Sequence, residues 1–167
     1  INLNRKVAIK EFFMKDMCCR EEDTNQVYYI SSDSNFVDNF KNKFIKEAQT
    51  ISSLNHRNII RIHDTFEENG TAYYAMEYID GCSISDILKQ QGKLQEDVAI
   101  QYIKEVAEAL NYIHSKHINH LDIKPSNIMV RQVDNSVVLI DFGVAKQYDL
   151  LTDEGTTSTP VGVSHGY

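Results

Sequence analysis

Asn69-Gly70 lies between two apolar-rich runs, residues 59–66 and 72–79, and this dipeptide constrains the chain more than any other local feature. A tight hairpin turn needs positive φ, which Asn tolerates and Gly adopts without steric cost, so the two runs are expected to fold back as an antiparallel pair. Two shorter runs, residues 128–130 and 137–140, flank Asp134-Asn135 and predict a second hairpin. Phe40, Phe44, Ala48, Ile51 and Leu54 recur at steps of three and four, which places them on one face of a helix ending near Asn55. Gly81 breaks the chain, and Ser83 with Asp86 three residues on gives a capping pattern for a short helix through Leu88. Beyond Gly92, the stripe Ala99, Ile103, Val106, Leu110 and Ile113 marks a long helix to about Ser115. Residues 6–13, β-branched and aromatic around Lys10, read as an opening strand. Strands and helices thus come in separate blocks, which predicts an α+β or two-lobed fold and not a doubly wound sheet.

Composition narrows the classes. A chain of 167 residues with 42% hydrophobic content falls in the one-domain range and can bury a core. Its apolar runs are far shorter than the ~20 residues of a membrane span, and no signal peptide opens it, so a cytoplasmic location is expected. A net charge of -7 argues against nucleic acid as the main partner, since phosphate-backbone binding needs a clustered positive surface. Cys18, Cys19 and Cys82 are odd in number and lack metal-ligand spacing, so they are expected to be ordinary thiols. Residues 14–35 carry Glu21-Glu22-Asp23 and Ser31-Ser32-Asp33-Ser34, a composition that suits an exposed connection. No internal repeat occurs, and a Thr/Ser/Gly tail begins at Thr152.

The chemistry concentrates in His120-Leu121-Asp122-Ile123-Lys124-Pro125-Ser126-Asn127. A carboxylate at Asp122 can accept a hydroxyl proton, and Asn127, five residues later, can offer a neutral oxygen to a hard cation. The bland alternative is a polar loop with a helix-stopping proline. Fourteen residues after Asn127, Asp141-Phe142-Gly143 follows directly on the run Val137-Val138-Leu139-Ile140. Near the other end Val7-Ala8-Ile9-Lys10 sets one lysine in a strand, which by itself is usually a solvated edge charge. Glu47 lies beside the apolar stripe of the first helix, and Leu54-Asn55-His56-Arg57-Asn58-Ile59-Ile60 follows it.

Together, in this order, these motifs resemble the eukaryotic-type serine/threonine protein kinase family over nearly the whole chain. The resemblance implies a protein-kinase-like two-lobed α+β fold, incomplete here, with residues 1–79 as partial N-lobe and hinge. Residues 80–167 would be a partial C-lobe through the activation segment. It implies ATP and Mg²⁺ as cofactors and transfer of the γ-phosphoryl group to Ser/Thr hydroxyls of a protein substrate. A single nucleotide can be held by Mg²⁺ and one lysine whatever the net charge. The roles carried over are Asp122 as catalytic base, Lys124 near the γ-phosphate, and Lys10, held by Glu47, on the α and β phosphates. Asn127 and Asp141 would hold Mg²⁺, Phe142 would pack between lobes, and Gly143 would let the backbone swing. Met76 would sit at the back of the adenine pocket, with Glu77, Tyr78 and Ile79 as the hinge and Met129 as the floor. Without the resemblance Met76, the hinge and Met129 would read as plain core.

Several positions depart from the family. Leu121 stands where an arginine commonly pairs with a phosphorylated activation-loop residue, so phosphorylation is not expected to act through position 121. The connection from Lys10 to Glu47 is longer than usual and reads as a solvated loop or a regulatory insert. Only six residues precede Val7 and no G-x-G-x-x-G occurs, so the small lobe is expected to lack its first two strands. Residues 159–167 resemble the segment before the A-P-E motif, with Ser164 near the position of a threonine that contacts the catalytic loop. The uncovered edge and apolar surface expected of such a piece would be protected by a homodimer or strand exchange. Two alternatives stay open: an inactive kinase-like binding module, and a small-molecule phosphotransferase sharing an H-x-D-x-x-x-x-N loop.

Overall fold

The computed structural model describes residues 5–30, 34–143 and 146–147. The expected tail from Thr152, including Ser164, lies outside the described residues. The chain divides into two compact units. Unit 1 holds the described residues up to Ser53 together with Arg61–Tyr78, and unit 2 holds Leu54–Ile60 and the described residues from Ile79 onward.

Unit 1 is built on a three-stranded antiparallel sheet of β1 (Val7–Glu11), β5 (Thr71–Glu77) and β4 (Ile62–Glu68), in the order β1-β5-β4. The β4–β5 turn is the expected one, with Asn69 at φ 52° and Gly70 at φ 72°. Between β1 and helix α1 (Ser34–Ser52) lies a second hairpin, β2 (Cys18–Arg20) with β3 (Val27–Tyr29). This corrects the expectation of an exposed connection across residues 14–35. The acidic run only forms the hairpin's tip, while Cys18 and Val27 turn inward and are 3% and 4% exposed. They join Phe12, Val37, Phe44, Ala48, Ala72 and Tyr74 in one buried cluster. A β-carbon on Gly70 would fall 2.5 Å from the Val27 carbonyl oxygen, so the close approach of hairpin and turn requires glycine there. Helix α1 begins six residues before the predicted stripe and ends before Leu54.

The apolar run at residues 59–66 does not form one strand. Ile59 and Ile60 belong to unit 2, where the Ile60 N–H donates to the Leu139 carbonyl at 3.0 Å. Unit 2 contains the sheet β6 (Gly81–Ser83), β8 (Ile128–Arg131) and β9 (Val137–Leu139). Strands β8 and β9 form the second predicted hairpin. Helix α2 (Ile84–Gln91) starts in the predicted capping box: the Ser83 hydroxyl accepts the Asp86 N–H at 3.1 Å and the Asp86 carboxylate accepts the Ser83 N–H. Such a cap stabilises a helix by about 1 kcal/mol.

Helix α3 (Glu96–His114) forms where the periodicity predicts. Its buried face is Tyr102, Val106, Ala109 and Ile113, and Ile103 is 68% exposed. The expected stripe is borne out at Val106 and Ile113, with Ala99 and Leu110 half-buried, but Ile103 turns outward while Tyr102 and Ala109 are buried, because apolar residues ring the first half of this helix and periodicity alone cannot choose among them. Strand β7 (Ile118–Asn119) pairs with β10 (Lys146–Gln147). Among the described residues no helix is long and apolar enough to cross a membrane.

Candidate active site

In unit 1, Lys10 and Tyr74 are directly opposed across the β1–β5 ladder, so both side chains rise from one face of the sheet. Glu47 reaches that face from α1, whose Phe44, Ala48 and Ile51 are buried and fix the helix phase. The Lys10 Nζ donates to Glu47 Oε1 at 3.3 Å, and the Tyr74 hydroxyl donates to the same oxygen at 3.1 Å. The Lys10 ammonium also stands 5.5 Å from the centre of the Tyr74 ring, a cation–π distance. Burial, and then the Glu47 charge, push the Tyr74 phenol far above its ordinary value, so it remains a donor. Glu47 is 11% exposed and Lys10 34%, which leaves the ammonium accessible while its partner is shielded.

Met76 lies on β5 opposite Ala8, and Glu77 lies opposite Val7 with its N–H bonded to the Arg61 carbonyl at 2.9 Å. Tyr78 is exposed, with the Lys6 ammonium 5.6 Å from its ring centre. In unit 2, Ile79 is buried and Met129 lies half-buried on β8 opposite Val138.

The loop between β7 and β8 brings the other residues together. Lys124 Nζ is 2.7 Å from Asp122 Oδ2, and Asn127 Nδ2 donates to the same oxygen at 2.8 Å and to the Asp122 carbonyl at 3.0 Å. Pro125–Asn127 forms a short 3₁₀ turn, in which proline's fixed φ suits the first position. His120 anchors the loop from below. It is 1% exposed, its Nδ1 accepts the Asp122 N–H at 3.3 Å, and its Nε2 faces the Ile140 carbonyl at 3.3 Å. The ring is therefore the Nε2-protonated tautomer, and burial lowers its pKa and keeps it neutral. The ring of Phe142, itself 2% exposed, packs at 4.5 Å between centres against His120.

Asp141 joins this cluster through the backbone, because the Ile140 N–H donates to the Asn127 carbonyl at 3.0 Å. Asp141 adopts φ 59°, and its Oδ1 accepts the Gly143 N–H at 3.3 Å. Leu121 adopts φ 63° and is 58% exposed.

Three contributors escaped the sequence reading. Tyr74 gave no signal beyond its place in a strand. His120 was visible only as the first letter of a motif. Asn58 is fully buried, donating to the Val137 carbonyl at 2.7 Å and to Glu105 Oε2 at 3.1 Å, while Glu105 accepts the Val137 N–H at 2.8 Å. Asn58 and Glu105 thereby hold β9, the strand that leads to Asp141. The run Leu54 to Ile60 carries the signal for this, since a buried amide needs partners.

The family model described as the protein kinase domain matches residues 13–165. The chain belongs to that family, and Lys10 lies just ahead of the matched residues. It is 35% identical over 126 residues to the serine/threonine-protein kinase PknB of Mycobacterium leprae, covering 73% of this chain and 20% of that protein. A probable serine/threonine-protein kinase of Clostridium acetobutylicum is 33% identical over 163 residues, 98% of this chain and 22% of its own. The solved structure titled "PpkA-294 apo form" superposes with a TM-score of 0.77 at 28% identity, over 83% of this chain and 50% of that one. The chain spans about a fifth of the length of the curated relatives it matches. Protein kinases generally use ATP and Mg²⁺.

Proposed function

We propose that the protein carrying these residues transfers the γ-phosphoryl group of ATP to serine or threonine hydroxyls of a protein substrate. The observation that carries the reading is the Asp122 carboxylate, held by Lys124 at 2.7 Å and Asn127 at 2.8 Å above a buried, neutral His120. A fixed carboxylate of this kind accepts the proton of an attacking hydroxyl. Lys124 would neutralise charge at the γ-phosphate. Lys10, aligned by Glu47 and Tyr74, would bind the α and β phosphates, and Met76, Glu77, Ile79 and Met129 would surround the adenine.

The donor set suits Mg²⁺. The Asn127 amide nitrogen is committed to Asp122, which leaves its oxygen for a cation, and the Ile140–Asn127 hydrogen bond ties Asn127 to the backbone that leads into Asp141. Hard oxygen donors in small number, completed by substrate phosphates, are the usual Mg²⁺ environment. The bound ion would neutralise charge on the transferring phosphates.

Residues 1–79 as partial N-lobe and hinge, residues 80–167 as partial C-lobe, and a cytoplasmic location where ATP is supplied belong to the same reading. So does a homodimer, for which Val7 and Ile9, exposed on β1 at the edge of the sheet among the described residues, offer a surface that sedimentation can test.

The test measures Mg²⁺-dependent ATP binding and phosphate transfer to a generic protein substrate by the full-length protein. Lys10→Met and Asp141→Asn serve as controls. Transfer that both substitutions abolish supports the reading. ATP binding without transfer under any activating condition favours an inactive binding module, and transfer only to small hydroxyl compounds favours a small-molecule phosphotransferase.

A further inference from the structure

We propose that the β2–β3 hairpin is a built-in strut that holds α1 where Glu47 meets Lys10, with Tyr29, Asp38, Lys41 and Glu67 as positioning residues. The inference rests on the reading of Lys10 and Glu47 as the pair that aligns ATP.

The hairpin is fastened on two sides. Toward the sheet, the Val27 N–H donates to the Asn69 carbonyl at 2.8 Å, and Arg20 Nη2 donates to Glu11 Oε2, at the end of β1, at 2.6 Å. Gly70 admits the Val27 carbonyl at a distance no other residue would allow. Toward the helix, the Tyr29 hydroxyl donates to Asp38 Oδ1 at 3.2 Å. Lys41, one turn further along α1, stands 3.8 Å from Asp38 and 3.1 Å from Glu67 Oε2 on β4. Hairpin, helix and sheet are thus joined by one chain of polar contacts. Burial works against the Lys41 charge, but Glu67, Tyr29 and Asp38 more than offset it and raise its pKa, so the ion pairs stand at neutral pH.

Beneath these contacts Cys18 and Val27 share a buried cluster with Val37, Phe44 and Tyr74, and the Tyr74 hydroxyl donates to Glu47. Packing is therefore continuous from the hairpin to the Lys10–Glu47 pair. Glu47 lies six residues beyond Lys41 on the same rigid helix, so a tilt or slide at Lys41 is carried to it. The helix has no acidic residue in its first turn and no basic residue in its last, and depends on such tertiary contacts for its placement. The chain's own hairpin thereby supplies contacts that set the position of α1.

The test uses steady-state kinetics of the full-length protein with Lys41→Ala, Tyr29→Phe, Glu47→Gln and the double variant Lys41→Ala/Glu47→Gln, alongside thermal midpoints. Lys41→Ala is expected to lower kcat/KM for ATP about three- to tenfold, Tyr29→Phe to act in the same direction, and Lys41→Arg to retain activity. Adding Lys41→Ala to Glu47→Gln should cost nothing more, because the strut acts through Glu47. Losses that add, or losses that track the thermal midpoint alone, overturn the inference in favour of a merely structural hairpin. If Lys10→Met and Glu47→Gln lower activity while Lys41→Ala and Tyr29→Phe do not, the strut fails and the ATP-aligning pair survives. If Glu47→Gln itself changes nothing, the pair's proposed role fails and the strut with it.

Discussion

In unit 2 the groups around Asp122 come from eight consecutive residues, His120 to Asn127, and the longest span among their mutual hydrogen bonds is five residues. In unit 1 the Lys10–Glu47–Tyr74 group comes from three separate elements, with partners 37 and 27 residues apart. The local cluster is assembled whenever its loop is anchored by His120. The long-range group exists only while α1 keeps its distance from the sheet, and it can be lost by helix movement without unfolding. On the proposed reading, the first group is the less sensitive to movement of α1 and the second the more sensitive.

The most forceful way to break this contrast is to remove the carboxylate on which the local cluster converges. Asp122→Asn is expected to lower kcat by about 10²–10⁴-fold, the range for a lost general base, with ATP affinity little changed. Single-turnover transfer and ATP titration measure the two separately. A weakened ATP affinity with an unchanged chemical step would show that the loop binds and does not catalyse.

A smaller effect is expected in the long-range group. Glu47→Gln removes a charged acceptor shared by Lys10 and Tyr74, and kcat/KM for ATP should fall about tenfold, as for a lost charge-assisted hydrogen bond. Tyr74→Phe keeps the ring beneath Lys10 and deletes only the hydroxyl, so a loss of about 1 kcal/mol, or about fivefold, is expected. If Tyr74→Phe equals Glu47→Gln, the hydroxyl and not the lysine is what places the glutamate. Initial-rate measurements across ATP concentrations decide between them.

The same contrast explains what was legible beforehand. Consecutive residues are read directly, so Asp122, Lys124 and Asn127 stood out together. Glu47 was found only because the run through Asn58 set the helix register. Tyr74 stayed hidden because its nearness to Lys10 depends on ladder register, which a sequence shows only once the pairing strand and its turn are aligned. The β2–β3 hairpin was missed for a related reason. Its strands are three residues long, too short for alternation to stand out, and its buried Cys18 and Val27 sit singly in a polar stretch. In α3 Val106 and Ile113 are buried as the period predicts, while Ile103 is exposed and Tyr102 is buried in its stead.

Backbone strain separates the units once more and gives the smallest expected effect. Among the described residues, those in unit 1 other than glycine with positive φ are Asn25 and Asn69, a residue type that tolerates this region, whereas unit 2 places Leu121 at φ 63° within the candidate site. A left-handed conformation costs an ordinary residue roughly 1–2 kcal/mol, and a leucine 58% exposed recovers little of that by burial. Leu121→Asn is therefore expected to raise stability by about 0.5–1 kcal/mol, read as a higher urea midpoint at unchanged slope. A lower midpoint would mean that the leucine packs usefully against its neighbours despite its exposure. In that event the local cluster would owe its geometry to position 121 as well as to His120.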